Sequence, residues 1–253
     1  MVSSLKCLQL NLKLLKKFEN FMIKKTSSKN PSGLIRKKHV KVKTARGRKV
    51  SSQRWLQRQL NDPYVLQAQS LGYRSRAAFK LIEVNEKYNI IHPGDRVIDL
   101  GAAPGSWCQI ALDLVGPKGQ VFALDLKEID PLPGVEFIQG DFLESAIQSE
   151  LEEKLTGSAN VILSDMAASS TGHAQTDHWR IMALAKNAFE FAKDILAPGG
   201  HFCAKVLMGG TEKDLLQSLR KHFEKVAHFK PKSSRKDSSE MYVIGLRFKT
   251  DDT

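Results

Sequence analysis

From residue 96 onward, short runs rich in Val and Ile alternate with longer stretches whose apolar residues recur every three or four positions. The runs at 96–100, 120–125, 135–138, 160–165, 201–206 and 241–247 predict strands, and the stretches near 106–115, 144–154, 177–196 and 211–223 predict helices. Alternating strands and helices with Val- and Ile-rich strands belong in a mainly parallel sheet covered by helices on both faces. A ligand of such a sheet binds beyond the carboxyl ends of the strands. Ahead of the sheet, Trp55, Leu56, Leu60, Tyr64 and Val65, then Ala77, Ala78, Leu81, Ile82 and Val84, predict amphipathic helices suited to a sheet edge, the second carrying Lys80. Residues 26–52 have no sustained apolar period and many Lys, Arg and Ser, so they read as extended, with folding expected to begin near Arg54.

Charge divides the chain at the same place. Residues 1–50 hold 15 of the 39 Lys and Arg but only one of the 27 acids, a net of +14, so the remaining 203 residues carry about −2. The expected organisation is a basic arm over 1–50 and a folded domain over 51–250. A polyanion suits the arm, and RNA is the natural candidate ahead of a cofactor-binding domain; a solvated tail with no specific partner is the alternative. The apolar residues Leu5, Leu8, Leu12, Leu15, Phe18 and Met22 lie among lysines, which leaves a mitochondrial presequence as an alternative to a cytoplasmic protein. No run of 18 apolar residues exists, so no membrane partner is expected. Three scattered cysteines fit neither a disulfide framework nor a zinc site; no metal is expected, and the protein is expected to act as a monomer.

The strand Arg96-Val97-Ile98-Asp99-Leu100 runs into Gly101-Ala102-Ala103-Pro104-Gly105 and then a helix. Two glycines let a flat cofactor approach the backbone, but the G-x-x-x-G spacing forms neither the pyrophosphate fingerprint nor a P-loop. Asp99, Asp125, Asp141 and Asp165 each fall at or just after a strand end. Asp125, about 20 residues past the turn, can accept from both hydroxyls of an adenosine ribose, and Asp141 can hold the adenine amino group. Helix capping or turn formation explains each acid taken singly. A phosphate-free, cationic cofactor such as S-adenosylmethionine suits this rim better than NAD, so methyl transfer is the better fit.

Ser75-Arg76-Ala77-Ala78-Phe79-Lys80-Leu81, Asp99 to Trp107, Ser164-Asp165-Met166-Ala167, Ala197-Pro198-Gly199-Gly200, Ala204-Lys205-Val206 and Ser238-Ser239-Glu240-Met241-Tyr242 together resemble the FtsJ/RrmJ family of large-subunit ribosomal RNA 2′-O-methyltransferases. The resemblance covers about residues 50 to 248. Residues 54–65 are similar to the start of the bacterial members. It implies a Rossmann-like, seven-stranded methyltransferase fold and a catalytic tetrad on Lys80, Asp165, Lys205 and Glu240. It further implies S-adenosylmethionine contacts on Gly105, Trp107, Asp125, Asp141 and Asp165. The implied substrate is a uridine of 23S rRNA in the assembled 50S subunit. Ser106 in place of a second glycine, Met166-Ala167-Ala168-Ser169 without the usual Pro, and the Met208-Gly209-Gly210 loop depart from the family pattern without touching the tetrad.

A ribose hydroxyl must lose its proton as it attacks the sulfonium methyl, so the site needs a base and tight positioning. Two lysines beside two acids let one amine be oriented while the other bears the charge, and Lys205 is the candidate base. Two ordinary surface ion pairs are the competing explanation, against which stand the buried neighbours Phe202, Cys203, Ala204 and Val206. Trp107 is read as a cofactor contact, although a Trp at the start of a helix is commonly core. The segment Lys230–Lys236 either holds phosphates or is a solvated loop. A small-molecule methyltransferase, a non-catalytic ribosome-assembly factor and an enzyme acting on tRNA or mitochondrial rRNA are the competing functions.

Overall fold

The computed structural model describes residues 50–208 and 213–249. The basic arm, the possible presequence and Gly209-Gly210 therefore lie outside the described residues, Val50 excepted. The chain divides between Asp62 and Pro63. In the first unit, α1 (Val50–Asn61) begins four residues ahead of the expected start, and Asn61 Nδ2 donates to Gln57 O at its end.

The second unit carries α2 (Pro63–Leu71) and α3 (Ala78–Tyr88), then the sheet strands and their crossovers. These are β1 (Arg96–Leu100), α4 (Ser106–Val115), β2 (Gln120–Asp125), β3 (Val135–Gln139), α5 (Ser145–Leu155), β4 (Ala159–Ser164), α6 (Ala174–Ile195), β5 (Leu196–Leu207), α7 (Lys213–His222), β6 (Phe223–Phe229) and β7 (Glu240–Phe248). The strands form one sheet in the order β3-β2-β1-β4-β5-β7-β6, parallel from β3 to β5 with β7 antiparallel to both of its neighbours. All six predicted strands are present. β6 was not among them: the helical reading ran on to 223, whereas the helix stops at His222 and Phe223 opens an edge strand.

Alternation along the central strands sorts their side chains onto two cores. Ile98, Leu100, Phe122, Leu124, Ile162, Phe202, Ala204 and Val243 pack with Leu151, Phe189 and Leu219 of α5, α6 and α7. Val97, Val121, Ala123, Val161, Leu163, Cys203, Tyr242 and Ile244 pack with Leu81 of α3 and Trp107 and Cys108 of α4. Both faces of β1, β4 and β5 are thereby dry, which is why their sequences are rich in apolar residues on both faces, with Asp99 and Lys205 as buried polar exceptions. No helix among the described residues is long and apolar enough to cross a membrane.

The sheet order reverses between β1 and β4, and in sheets of this kind ligands bind beyond the carboxyl ends of the strands at that switch point. The Gly101–Gly105 turn lies there, directly after β1. Gly101 has φ +79, and its N–H donates to Leu124 O at 2.8 Å; a Cβ on it would lie 2.7 Å from the Met166 Cα, so this turn abuts the segment that follows β4. Replacing Gly101 with Ala is expected to cost at least about 1–3 kcal/mol through left-handed strain, with the backbone clash adding to it. Chemical denaturation of Gly101→Ala measures the loss, and wild-type stability would contradict the tight contact.

Candidate active site

A lysine at position 205 breaks the apolar run of β5, and the pleat decides where it points. Phe202, Ala204 and Val206 face one core, so Lys205 shares the other face with Cys203, beneath α3. Register pairs Lys205 with Tyr242 and Leu207 with Glu240 on antiparallel β7, placing Tyr242 and Glu240 on that same face. Asp165 follows the last residue of β4, its N–H held by Leu100 O at 3.1 Å. Lys80 comes down from α3. Four sequence-distant residues thus meet at the carboxyl rim of the sheet.

Lys205 Nζ donates to the backbone oxygen of Asp165 at 2.6 Å, lies 3.1 Å from Asp165 Oδ1 and 3.9 Å from Glu240 Oε1. Lys80 Nζ lies 3.1 Å from Glu240 Oε1 and 4.0 Å from Asp165 Oδ2. Both ammonium groups are nearly closed off, with Lys80 and Lys205 9% and 6% exposed. These are not solvated surface pairs. Burial pushes the Asp165 carboxyl up, but the Lys205 and Lys80 charges, with hydrogen bonds from Tyr242 and Lys205, outweigh it and hold it below the ordinary carboxylate range.

Tyr242, which the sequence reading did not single out, donates its hydroxyl to Asp165 Oδ1 at 2.7 Å and is wholly buried. Its position two residues beyond Glu240 on one strand was the available signal. The Trp107 ring lies 5.5 Å from the Tyr242 ring, and its Nε1 donates to Ala77 O at 2.8 Å. The Trp107 indole is 2% exposed and packs into the core, while its backbone opens α4 directly after the glycine turn.

Asp125 and Gly105 lie at the carboxyl rim beside this switch point. Asp125 Oδ2 accepts from Ala103 N at 2.9 Å and Oδ1 from Lys127 N at 2.8 Å, so this acid ties β2 to the glycine turn while remaining part-exposed. Gly105, at φ +94, leaves room for the Arg74 guanidinium, which donates to Pro104 O at 3.0 Å. Asp141 Oδ1 accepts from Leu143 N at 2.9 Å, a local turn contact at the same rim. The 230–239 loop is pinned rather than solvated throughout: Glu83 accepts from Lys232 N and Ser233 N, Arg76 donates to Ser233 O, and Lys230 Nζ donates to Ser238 O. Ser238 Oγ in turn contacts Glu240 Oε2 at 3.2 Å. A separate cavity lined by Lys193, Asp194, Pro198, His222 and Lys249 lies at the amino ends of the parallel strands, away from this rim.

The profile of the FtsJ-like methyltransferase family matches residues 73–248. Ribosomal RNA large subunit methyltransferase E of Parvibaculum lavamentivorans is 54% identical over 233 residues, covering 88% of this chain and 92% of that protein. The protein of the same name from Paramagnetospirillum magneticum is 54% identical over 230 residues, covering 89% and 94%. Among solved structures, a Plasmodium falciparum protein assigned as a ribosomal RNA methyltransferase superposes with a TM-score of 0.62 at 32% identity, covering 70% of this chain and 98% of that one.

Asp99 is a buried acid at the foot of the glycine turn. Its Oδ2 accepts from Cys108 Sγ at 3.2 Å, while its Oδ1 has no hydrogen-bond partner. Burial pushes the carboxyl up to about 7; the Cys108 contact opposes this and the Asp165 and Asp125 charges add to it. A carboxyl raised on folding favours the folded state most below its unfolded value of 3.8 and withdraws that support as pH climbs toward 7. Asp99→Asn is therefore expected to flatten the fall in unfolding free energy between about pH 4 and pH 8, by up to about 4 kcal/mol. Urea titrations across that range measure it, and identical slopes for both proteins would contradict a neutral-preferring Asp99.

Proposed function

This chain belongs to the FtsJ-like methyltransferase family, and on that premise we propose that it methylates a ribose 2′-hydroxyl of a uridine in large-subunit ribosomal RNA, in the assembled 50S subunit, using S-adenosylmethionine. The Lys80–Asp165–Lys205–Glu240 quartet at the carboxyl rim carries this reading. The names of the bacterial relatives support an rRNA substrate.

Gly105, Trp107, Asp125, Asp141 and Asp165 would hold the cofactor. An acid-rich rim, with the unpartnered Asp99 oxygen below a two-glycine turn, fits a cationic ligand without phosphate. When bound, S-adenosylmethionine supplies an electrophilic methyl group. The chain's own work is on the hydroxyl proton. Lys205 Nζ is tied twice to Asp165, by its carbonyl and its carboxylate. Those two ties leave one position of the tetrahedral nitrogen for the ribose hydroxyl. Lys80 is flanked by both carboxylates and keeps the compensating positive charge. The division of labour follows: Lys205, after releasing one proton to solvent, takes the hydroxyl proton as the neutral amine and returns to the ammonium, Asp165 aims Lys205, and Lys80 with Glu240 orients the ribose and balances the charge.

Purified protein incubated with labelled S-adenosylmethionine and unmodified 50S subunits should place label on one ribose of large-subunit rRNA. Label on a base, or no incorporation, would overturn the proposal. Arginine keeps the charge at position 205 but cannot give up its proton. Lys205→Arg should therefore lose at least about 10²-fold in single-turnover rate, the low end for general-base catalysis. Retention of more than a tenth of the wild-type rate would reduce Lys205 to a positioning role.

The +14 charge of residues 1–50 is proposed to bind rRNA backbone. Deleting them should weaken RNA binding and shrink its salt dependence, because fewer counterions are released. Filter binding across a salt series measures the slope, and an unchanged slope would argue against that assignment.

A further inference from the structure

Tyr242 is the one wholly buried side chain with a hydroxyl in direct contact with the quartet among the described residues. Three contacts hold it. Its hydroxyl reaches Asp165 Oδ1, the same oxygen that Lys205 Nζ approaches at 3.1 Å. The Trp107 ring lies against its ring, and Trp107 is itself fastened to Ala77 O, one residue ahead of α3, the helix that carries Lys80. The Lys80 ammonium lies 5.8 Å from the centre of the Tyr242 ring. A carboxylate on the residue after a strand can turn about its side-chain bonds. Here one oxygen is fixed from β7, opposite Lys205 in register, so the carboxylate has a single orientation.

Resting on the methyl-transfer reading above, we propose that Tyr242 is a positioning residue, and that Trp107 braces its hydroxyl so that it fixes the Asp165 carboxylate and thereby aims the Lys205 amine. Tyr242 does not touch the reacting atoms. Burial first, then the neighbouring Asp165 and Glu240 charges, push its phenol well above the ordinary value, so the hydroxyl stays a donor throughout the working range. The Trp107 indole acts in this account through Tyr242.

Removing one donor to a buried carboxylate while keeping the ring separates orientation from packing. Tyr242→Phe should lower the single-turnover rate by about 10- to 100-fold. Its affinities for S-adenosylmethionine and for RNA should stay within about twofold of wild type, because a hydroxyl deep under the rim faces neither ligand. para-Aminophenylalanine incorporated at position 242 restores an N–H donor in the same place and should recover most of the rate. Full activity in Tyr242→Phe, or a loss that follows ligand affinity rather than rate, would overturn the proposal. Should Tyr242→Phe fail to fold, the wild-type protein itself supplies the test: its Tyr242 hydroxyl proton should appear in NMR spectra as a deshielded, slowly exchanging signal. That signal must weaken or move in Asp165→Asn, and a freely exchanging hydroxyl would overturn the proposal without reference to activity. Failure of the wild type to methylate rRNA would instead count against the function proposed above.

Discussion

Two ammonium groups less than a tenth exposed cannot sit inside a protein unless negative charge lies within a few ångströms of them. That constraint governs the architecture of this rim. Lys80 and Lys205 carry two positive charges into a region covered by α3 and the sheet, and Asp165 and Glu240 supply the two that balance them. Losing a single partner would strand a buried charge at a cost of about 3–5 kcal/mol, so the four residues stand or fall as a unit. A lone lysine on a buried strand would be a defect. With its partners it is a prepared amine held away from water.

Bringing the partners together is the work of the sheet. β7 runs antiparallel to β5, and their register places Tyr242 opposite Lys205 and Glu240 opposite Leu207. The pleat then sends Lys205, Tyr242 and Glu240 to the side covered by α3. Shifting β7 by one residue would turn Glu240 and Tyr242 into the other core and leave Lys205 without them. The polar cluster and the strand register therefore specify one another. The buried tyrosine links them again, because it is at once a core residue packed on Trp107 and the donor that fixes Asp165.

Much of this was legible in the sequence, for identifiable reasons. Runs rich in apolar residues located six strands, since a strand buried on both faces, as β1 and β4 are, leaves its composition in plain view. β6 carries no such mark: Phe223 is buried, but Glu224 and Lys225 behind it are exposed, as suits an edge strand. Lys80 and Glu240 stand 160 residues apart, and no spacing rule joins them; the resemblance to a known family named both, and the topology supplies the physical reason they meet. The partners of the Trp107 ring were not readable locally: a Trp at the start of a helix has the same sequence whatever its ring packs on, and here Ala77 O and Tyr242 hold it. The orphaned oxygen of Asp99 was equally out of reach, because burial depends on what α3 and α4 cover.

The central claim is that the buried quartet and the glycine turn of β1 serve one reaction centre at the switch point between β1 and β4. A crystal structure of the protein with S-adenosylhomocysteine tests it most directly. The account predicts the ligand's ribose on Asp125, its adenine beside Asp141 and its sulfur turned toward Lys205, with all four quartet contacts retained. A ligand bound elsewhere, or one lying at the turn with its sulfur directed away from Lys205, would contradict it.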